Sequence, residues 1–411
     1  MDLLLAFAAL LFVAVLFSGL AHRTVLSTAV LFLLAGFVLG EGVLGALPLQ
    51  PDDDIVRELA ELALFSVLFT DGMRIGVGEL RSAWRLPGRA LILGMPLTFG
   101  ITALLAHFVA GLPWLESMLV GAVLAPTDPV FASAIVGRPE VPQRLRRLLN
   151  VESGLNDGLA LPVVLVLLSV VGGEDAPLSV LAGELALGVL LGVGVPALAA
   201  LLIRSRFTGT TPLYEALSGL SIGLLVLGLA NLTHANLFLA AFTAGITVAS
   251  VSPAVMRAFE DLGEIITELL KLAAILVFGT LISPAFLGEI PVLGYVFAVL
   301  ALVVSRPVAI GLALLGSRLP LWEKAAVAWF GPKGFASVVY GLLVLDSGAA
   351  QADAMFHLVA LVIFASILAH SSTDVPIAHA FARASRTDPG PGDPADADSP
   401  VTADPEGSAS G

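Results

Sequence analysis

The stretch 149-LNVESGLNDGLALPVVLVLL-168 reads as a membrane helix that should not carry Glu152, Asn156 and Asp157. A carboxylate near the centre of a bilayer costs roughly 2.5–3.5 kcal/mol on insertion scales. A chain that keeps one there either hides it in a pair or uses it. The rest of the sequence decides which.

Of 411 residues, 57% are hydrophobic and 13% charged, too little charge to coat a soluble protein of this length. Apolar runs of about 20 residues recur from end to end, each able to cross a hydrocarbon core of roughly 30 Å. The chain reads as an all-α polytopic membrane protein with the lipid bilayer as its surroundings. Residues 3–21 are apolar over a full span, with no basic residue before them and Arg23 after, which predicts a first membrane helix rather than a cleavable signal. There is no cysteine, so disulfides, thiolate metal sites and iron–sulfur clusters are excluded. No Walker-type motif occurs, so ATP is not the energy source; nucleic acid is not an expected partner, and no cofactor or enzymatic activity is expected. Residues 383–411 hold six acids and two arginines among Pro, Gly, Ala and Ser, a composition that cannot form a core. The organisation predicted is a transmembrane domain over 1–380 and a disordered acidic cytoplasmic tail over 381–411.

Thirteen spans fit the hydropathy, near 3–21, 24–46, 55–75, 89–112, 116–137, 149–171, 178–203, 213–231, 235–251, 264–283, 290–316, 323–345 and 354–377. Short cytoplasmic loops collect Lys and Arg. Alternate connections hold Arg23; Arg74, Arg81, Arg85 and Arg89; Arg138, Arg144, Arg146 and Arg147; Arg204 and Arg206; Arg257; Arg318 and Lys324; and Arg383 and Arg386, together 16 of the 20 basic residues. The opposite connections hold Asp52, Asp53, Asp54, Glu174, Asp175, Glu289, Asp346 and Asp353, with Arg57 the exception. An N-terminus outside and a C-terminus inside satisfy this pattern.

Inside the spans lie Asp71, Asp128, Glu152, Asn156, Asp157, Glu268, Lys271, Arg306 and Lys333. The plain reading of each is a buried pair that fixes packing or a side chain that snorkels; Lys271 is expected to pair with Glu268 or Glu264 on its own span. Depth argues for more. At about 1.5 Å per residue, Asp157, Asp128, Arg306 and Lys333 all lie roughly 12–15 Å from the inner face. Four ionisable groups on four spans share one layer, which a substrate site requires and scattered pairs do not. The histidines read as satisfied loop or helix residues.

Span five adds a break. In "GAVLAPTDPVFASAIVG", Pro126 and Pro129 bracket Thr127 and Asp128, removing two backbone donors. Broken backbone at membrane depth is tolerated where it is buried in protein or lines a cavity. Span twelve has a counterpart in "WFGPKGFASVVYG", with Gly331, Pro332, Lys333 and Gly334. Spans five and twelve run in opposite directions, as an inverted repeat of spans 1–6 and 8–13 requires. Two crossed, discontinuous helices at matching inverted positions favour an alternating-access transporter.

At "APTDPV" and "ESGLNDG" the sequence resembles the monovalent cation/proton antiporters, in the NhaP-like branch related to eukaryotic sodium/proton exchangers. The resemblance covers roughly residues 1–380; "LLAGFVLG", "ELALFSVLFTDGMRI", "SRPVAI" and "GPKGF" agree in order and spacing. It implies that Asp157 carries cation and proton in turn, with Asn156 its amide partner. Ser153, Thr127 and Asp71 become further cation ligands. Glu152 and Arg306 become a structural ion pair, Lys333 stands where relatives often carry arginine, and Asp128 stabilises the helix crossing. The resemblance further implies exchange of Na⁺ (Li⁺ or K⁺ as alternatives) for H⁺, electroneutral because the pair is Asn-Asp, by a homodimer in the cell membrane that serves pH homeostasis. Oxygen ligands of this kind suit a hard cation.

Other classes account for less. An intramembrane aspartyl protease could use Asp128 and Asp157 but leaves the prolines without a purpose. A sodium-coupled symporter of a small organic solute is the alternative that remains open, though few residues could line its larger polar cavity. No filter sequence suggests a channel.

Overall fold

The computed structural model describes residues 2–21, 28–74, 86–128, 141–173, 178–203 and 211–387. Arg23, Arg81, Arg85, Pro129 and the rest of span five, Arg138, Glu174, Asp175, Arg204, Arg206 and the tail from 388 lie outside the described residues.

The described residues are helical, without a strand. In chain order the helices are α1 Leu3–Ala21, α2 Thr28–Leu39, α3 Asp54–Arg74, α4 Pro87–Phe108, α5 Trp114–Val123, α6 Gln143–Val171 and α7 Leu178–Ile203. There follow α8 Pro212–Thr233, α9 Leu237–Val251, α10 Pro253–Leu281, α11 Val292–Ala313, α12 Leu321–Trp329, α13 Phe335–Asp346 and α14 Ala352–Thr387, with a short helix Pro284–Glu289 between α10 and α11. Six of them (α4, α6, α7, α8, α11 and α14) are long and apolar enough to cross a membrane whole. Leu190, Leu201, Leu224, Leu232 and Val292 remain exposed on the outside of the bundle, which suits hydrocarbon rather than water.

Several boundaries move. Helix α6 starts at Gln143, behind Pro142, not at 149, and α10 starts at Pro253, not at 264. Arg144, Arg146, Arg147 and Arg257 therefore sit on helical turns, because charge marks where a helix leaves hydrocarbon and not where it ends. Helix α14 runs through Thr387, so the tail boundary at 380 falls inside it: Phe381 is buried, with its ring 4.4 Å from that of Trp322.

Two groups of helices make the bundle. Helices α2, α3, α7, α8, α9 and α10 pack among themselves, with α1 against α2, as do α4, α5, α6, α11, α12, α13 and α14; α3, α9 and α10 meet α6 and α13 across the boundary, and α2 meets α14. Inside the first group the backbones come close. A Cβ on Gly36 of α2 would fall 2.9 Å from Gly279 Cα of α10, and one on Gly72 of α3 would fall 3.1 Å from Gly245 Cα of α9. Only glycine permits either approach.

The second group holds the irregular backbone. Helices α4 and α11 each contain a π turn, Ala90–Gly94 and Ala301–Ser305. Pro96 and Pro307 lie just beyond, and each lacks the N–H that would have bonded four residues back, within the widened turn. Helix α5 stops at Val123 and leaves residues 124–128 non-helical, while 330–334 separate α12 from α13. The two breaks touch: Asp128 N–H donates to Pro332 O at 2.9 Å.

Candidate functional site

Helix α6 carries Glu152, Ser153, Asn156 and Asp157, all at most 4% exposed. Spacings of three and four residues set them on the inward face of one helix. Ser153 Oγ donates to Thr127 O, and Asn156 Nδ2 donates to Thr127 Oγ1 at 2.8 Å. Thr127 is thereby held from both its backbone and its hydroxyl. Asn156 Oδ1 has no hydrogen-bond partner among the described residues.

Asp157 is 4% exposed. Its backbone carbonyl accepts from Tyr340 Oη at 3.0 Å, yet its carboxylate makes no hydrogen bond or ion pair among the described residues. The charges that reach it are those of Asp128, Asp71 and Lys271. An acid withdrawn from water without a partner is a demanding arrangement, and here hydroxyl, amide and carbonyl oxygens gather on the same face.

The neighbouring charges are placed separately. Arg306, directly after the π turn of α11, donates to both oxygens of Glu152 at 2.7 and 3.0 Å and to Phe330 O at 3.2 Å. Lys333 is 2% exposed; its backbone N–H donates to Ser366 Oγ at 2.8 Å, and its Nζ has no hydrogen-bond partner among the described residues. Asp128 Oδ2 accepts from Phe335 N at 3.4 Å, at the start of α13. Side chains fill the breaks so tightly that a Cβ on Gly334 would collide with Asp128 and one on Gly331 with Arg306.

Asp71 makes no hydrogen bond to Thr127, Ser153 or Asn156, though its charge reaches Asp157. It sits on α3 with Arg74 Nη1 3.6 Å away, and Arg74 Nη2 lies 3.5 Å from Glu264 of α10. A cavity of about 440 Å³ opens beside them between α3, α9 and α10, with Thr70 and Arg74 on one wall and Glu260 and Glu264 on another. Lys271 departs from expectation. Its Nζ lies 3.9 Å from Asp128 Oδ2, not against Glu268 or Glu264, because its position on α10 faces the other helix group.

Sequence reasoning missed the polar residues that hold the breaks. Ser337 Oγ donates to Val123 O at 2.7 Å and closes the end of α5. Ser366 and His370, one turn apart on α14, reach Lys333 N and Trp329 O. Their spacing of four in an apolar span was the available signal. Among the described residues no three His, Asp or Glu side chains cluster as a metal site would require.

Comparison with known proteins bears on this arrangement. Residues 8–379 match the family model described as "Sodium/hydrogen exchanger, transmembrane". The chain is similar to the K(+)/H(+) antiporter NhaP2 of Shewanella sp. (strain MR-4), at 26% identity over 370 residues, covering 88% of this chain and 64% of that protein. It is also similar to the K(+)/H(+) antiporter NhaP of Alkalimonas amylolytica, at 23% identity over 384 residues, covering 91% and 66%. The chain thus spans 64–66% of the length of these curated relatives. Among solved structures it is similar to the sodium proton antiporter MjNhaP1 from Methanocaldococcus jannaschii at pH 8, with a TM-score of 0.73 at 19% identity, covering 92% of this chain and 97% of that one. The likeness is one of fold.

Proposed function

The chain belongs to the sodium/hydrogen exchanger family of transmembrane proteins, and on that premise we propose that it exchanges a monovalent cation for a proton across a membrane, with Asp157 binding each in turn. The observation that carries this reading is the buried Asp157 carboxylate, which has no protein partner among the described residues and lies beside a Thr127–Ser153–Asn156 cluster. In low dielectric such a group needs a neutralising partner, and a proton or a hard cation supplies one. The two compete for a single site. If the helix groups change orientation only when the site is occupied, competition becomes coupled exchange.

Thr127, Ser153 and Asp71 serve as further cation ligands. Glu152, Arg306, Asp128 and Lys333 balance charge around the breaks. The cavity between α3, α9 and α10, walled by Thr70, Arg74, Glu260 and Glu264, is the approach proposed for the cation. The architecture proposed is thirteen spans, N-terminus outside, with inverted six-helix repeats. Its supports are the alternation of basic loops, the contact between the two breaks, the paired π turns and the matched glycine contacts of α2–α10 and α3–α9. A homodimer in the cell membrane, acting in pH homeostasis, completes the reading.

Na⁺ is the cation proposed, as printed for the structural neighbour; K⁺ is the second reading, favoured by the names of the NhaP2 and NhaP relatives. Exchange is proposed to be electroneutral, with Asp157 the one acid of the Asn-Asp pair. The test is proton flux in vesicles containing the purified protein and a preset pH gradient, on adding Na⁺, Li⁺ or K⁺ in turn, beside Asp157→Asn. Cation-dependent collapse of the gradient that Asp157→Asn abolishes is the expected result. Folded protein with no such flux from pH 5 to 9 would overturn the proposal.

A further inference from the structure

Lys271 stands on α10 in one helix group, and its ammonium points across the boundary to Asp128 in the break of the other, 3.9 Å away. Both side chains are buried. Thr267, one turn earlier on α10, is hydrogen-bonded to Ser66 of α3 at 2.7 Å, which sets the rotation of α10 and the direction of Lys271's approach. Asp71 and Glu268 also lie within its electrostatic reach, as does Arg74, and Asp157 feels its charge together with those of Asp128 and Asp71.

The separation matters. At 3.9 Å the ammonium is an ion-pair neighbour of Asp128 without a short hydrogen bond, so it supplies charge to the cluster and is not locked to one oxygen. Asp71, Asp128 and Asp157 lie within electrostatic reach of one another. A single fixed positive charge there lowers the attraction that any mobile cation feels.

We infer that Lys271 is a tethered counter-cation that sets the affinity of the Asp157 site, neutralising Asp128 from the opposite helix group so that an arriving ion meets a smaller net negative charge. This rests on the exchange reading above. Cation binding becomes weak enough for release, and Lys271 is a positioning residue that touches no transported ion.

Two readouts on the full chain test it: the midpoint for Na⁺-dependent thermal stabilisation of the purified protein, and the KM and kcat for Na⁺ in vesicles. Lys271→Met keeps an unbranched apolar stem and removes the charge. It lowers both the binding midpoint and KM by about tenfold and slows turnover, while Lys271→Arg stays within about twofold of the parent. Asp128→Asn, which takes away the acid that Lys271 neutralises, raises the midpoint. An unchanged or higher midpoint in folded Lys271→Met overturns the inference. Should that variant not fold, an unchanged midpoint in Asp128→Asn overturns it equally. Na⁺ stabilisation without flux in the parent protein would sink the antiporter reading alone, and the midpoints would still decide the role of Lys271.

Discussion

Arg306 grips Glu152 through both terminal amino groups, at 2.7 and 3.0 Å, and joins α11 to α6 with both side chains at most 5% exposed. Removing one partner of such a pair strands a charge in low dielectric, at about 3–5 kcal/mol. Arg306→Ala is expected to lower the melting temperature and the yield of folded protein while leaving the order of cation preference unchanged. Replacing both residues by leucine recovers part of the stability, since neither charge is then left alone. Thermal melts of the three proteins in detergent check this; an Arg306→Ala variant as stable as the parent would contradict it.

Thr127 lies where the site and the break meet, its hydroxyl accepting from Asn156 Nδ2 at 2.8 Å. Thr127→Val removes an oxygen and leaves the shape. The expected effect is a rise in KM for the cation of about tenfold, equivalent to about 1.4 kcal/mol, with Thr127→Ser restoring the parent value. Equal KM values for the valine and parent proteins would remove the hydroxyl from the ligand set.

A shared Asp157 site, as proposed, requires proton and cation to compete in the kinetics. Lowering the pH on the cation-loading side should raise KM for the cation and leave the rate at saturating cation unchanged. Vesicle assays at two or more values of pH read this directly, and a fall in the saturated rate with constant KM would point to separate sites.

What could be seen beforehand divides along physical lines. Glu152, Asn156 and Asp157 stood out because burial of a polar group in hydrocarbon is costly residue by residue, and Pro126 and Pro332 because a missing N–H breaks a helix locally. The partner of Lys271 could not be read, since it depends on which face of α10 meets the other helix group, a property of packing and not of spacing. The starts of α6 and α10 were misplaced for a related reason: Arg144 and Arg257 look like loop residues in a charge count, yet Pro142 and Pro253 open helices before them. The π turns escaped notice although Pro96 and Pro307 lay beside them, because a proline alone does not say whether a helix kinks or widens.

Arg144 and Glu323 make an asymmetric pair. Two hydrogen bonds of 2.9 and 2.5 Å join them, with the Arg144 side chain 53% exposed and that of Glu323 2% exposed. Arg144→Ala leaves a buried carboxylate without its guanidinium, whereas Glu323→Ala leaves an arginine that water can solvate. The first should destabilise more than the second, which loses about 1.5–3 kcal/mol with its charged hydrogen bonds. Melting temperatures in the reverse order would show that Glu323 has another source of support.

His370 holds the second break to α14. Its Nε2 is 3.0 Å from Trp329 O, its Nδ1 is 2.8 Å from Ser366 O and 3.1 Å from Ser366 Oγ, and that hydroxyl accepts from Lys333 N at 2.8 Å. Both ring nitrogens face carbonyl oxygens, and a neutral ring has one N–H to give, from Nε2 to Trp329 O or from Nδ1 to Ser366 O. The ring thereby bridges α12 and α14. His370→Leu leaves Trp329 O with Gly331 N–H as its donor and removes the link from α12 to α14, a loss of about 0.5–1.5 kcal/mol, and should slow exchange; His370→Gln, which can still donate to that carbonyl, should recover most of both. The decisive measurement is the pH profile of exchange in His370→Gln. It should keep the midpoint of the parent protein if Asp157 is the titrating group, as proposed, and a midpoint displaced by one pH unit or more would make His370 part of the proton pathway.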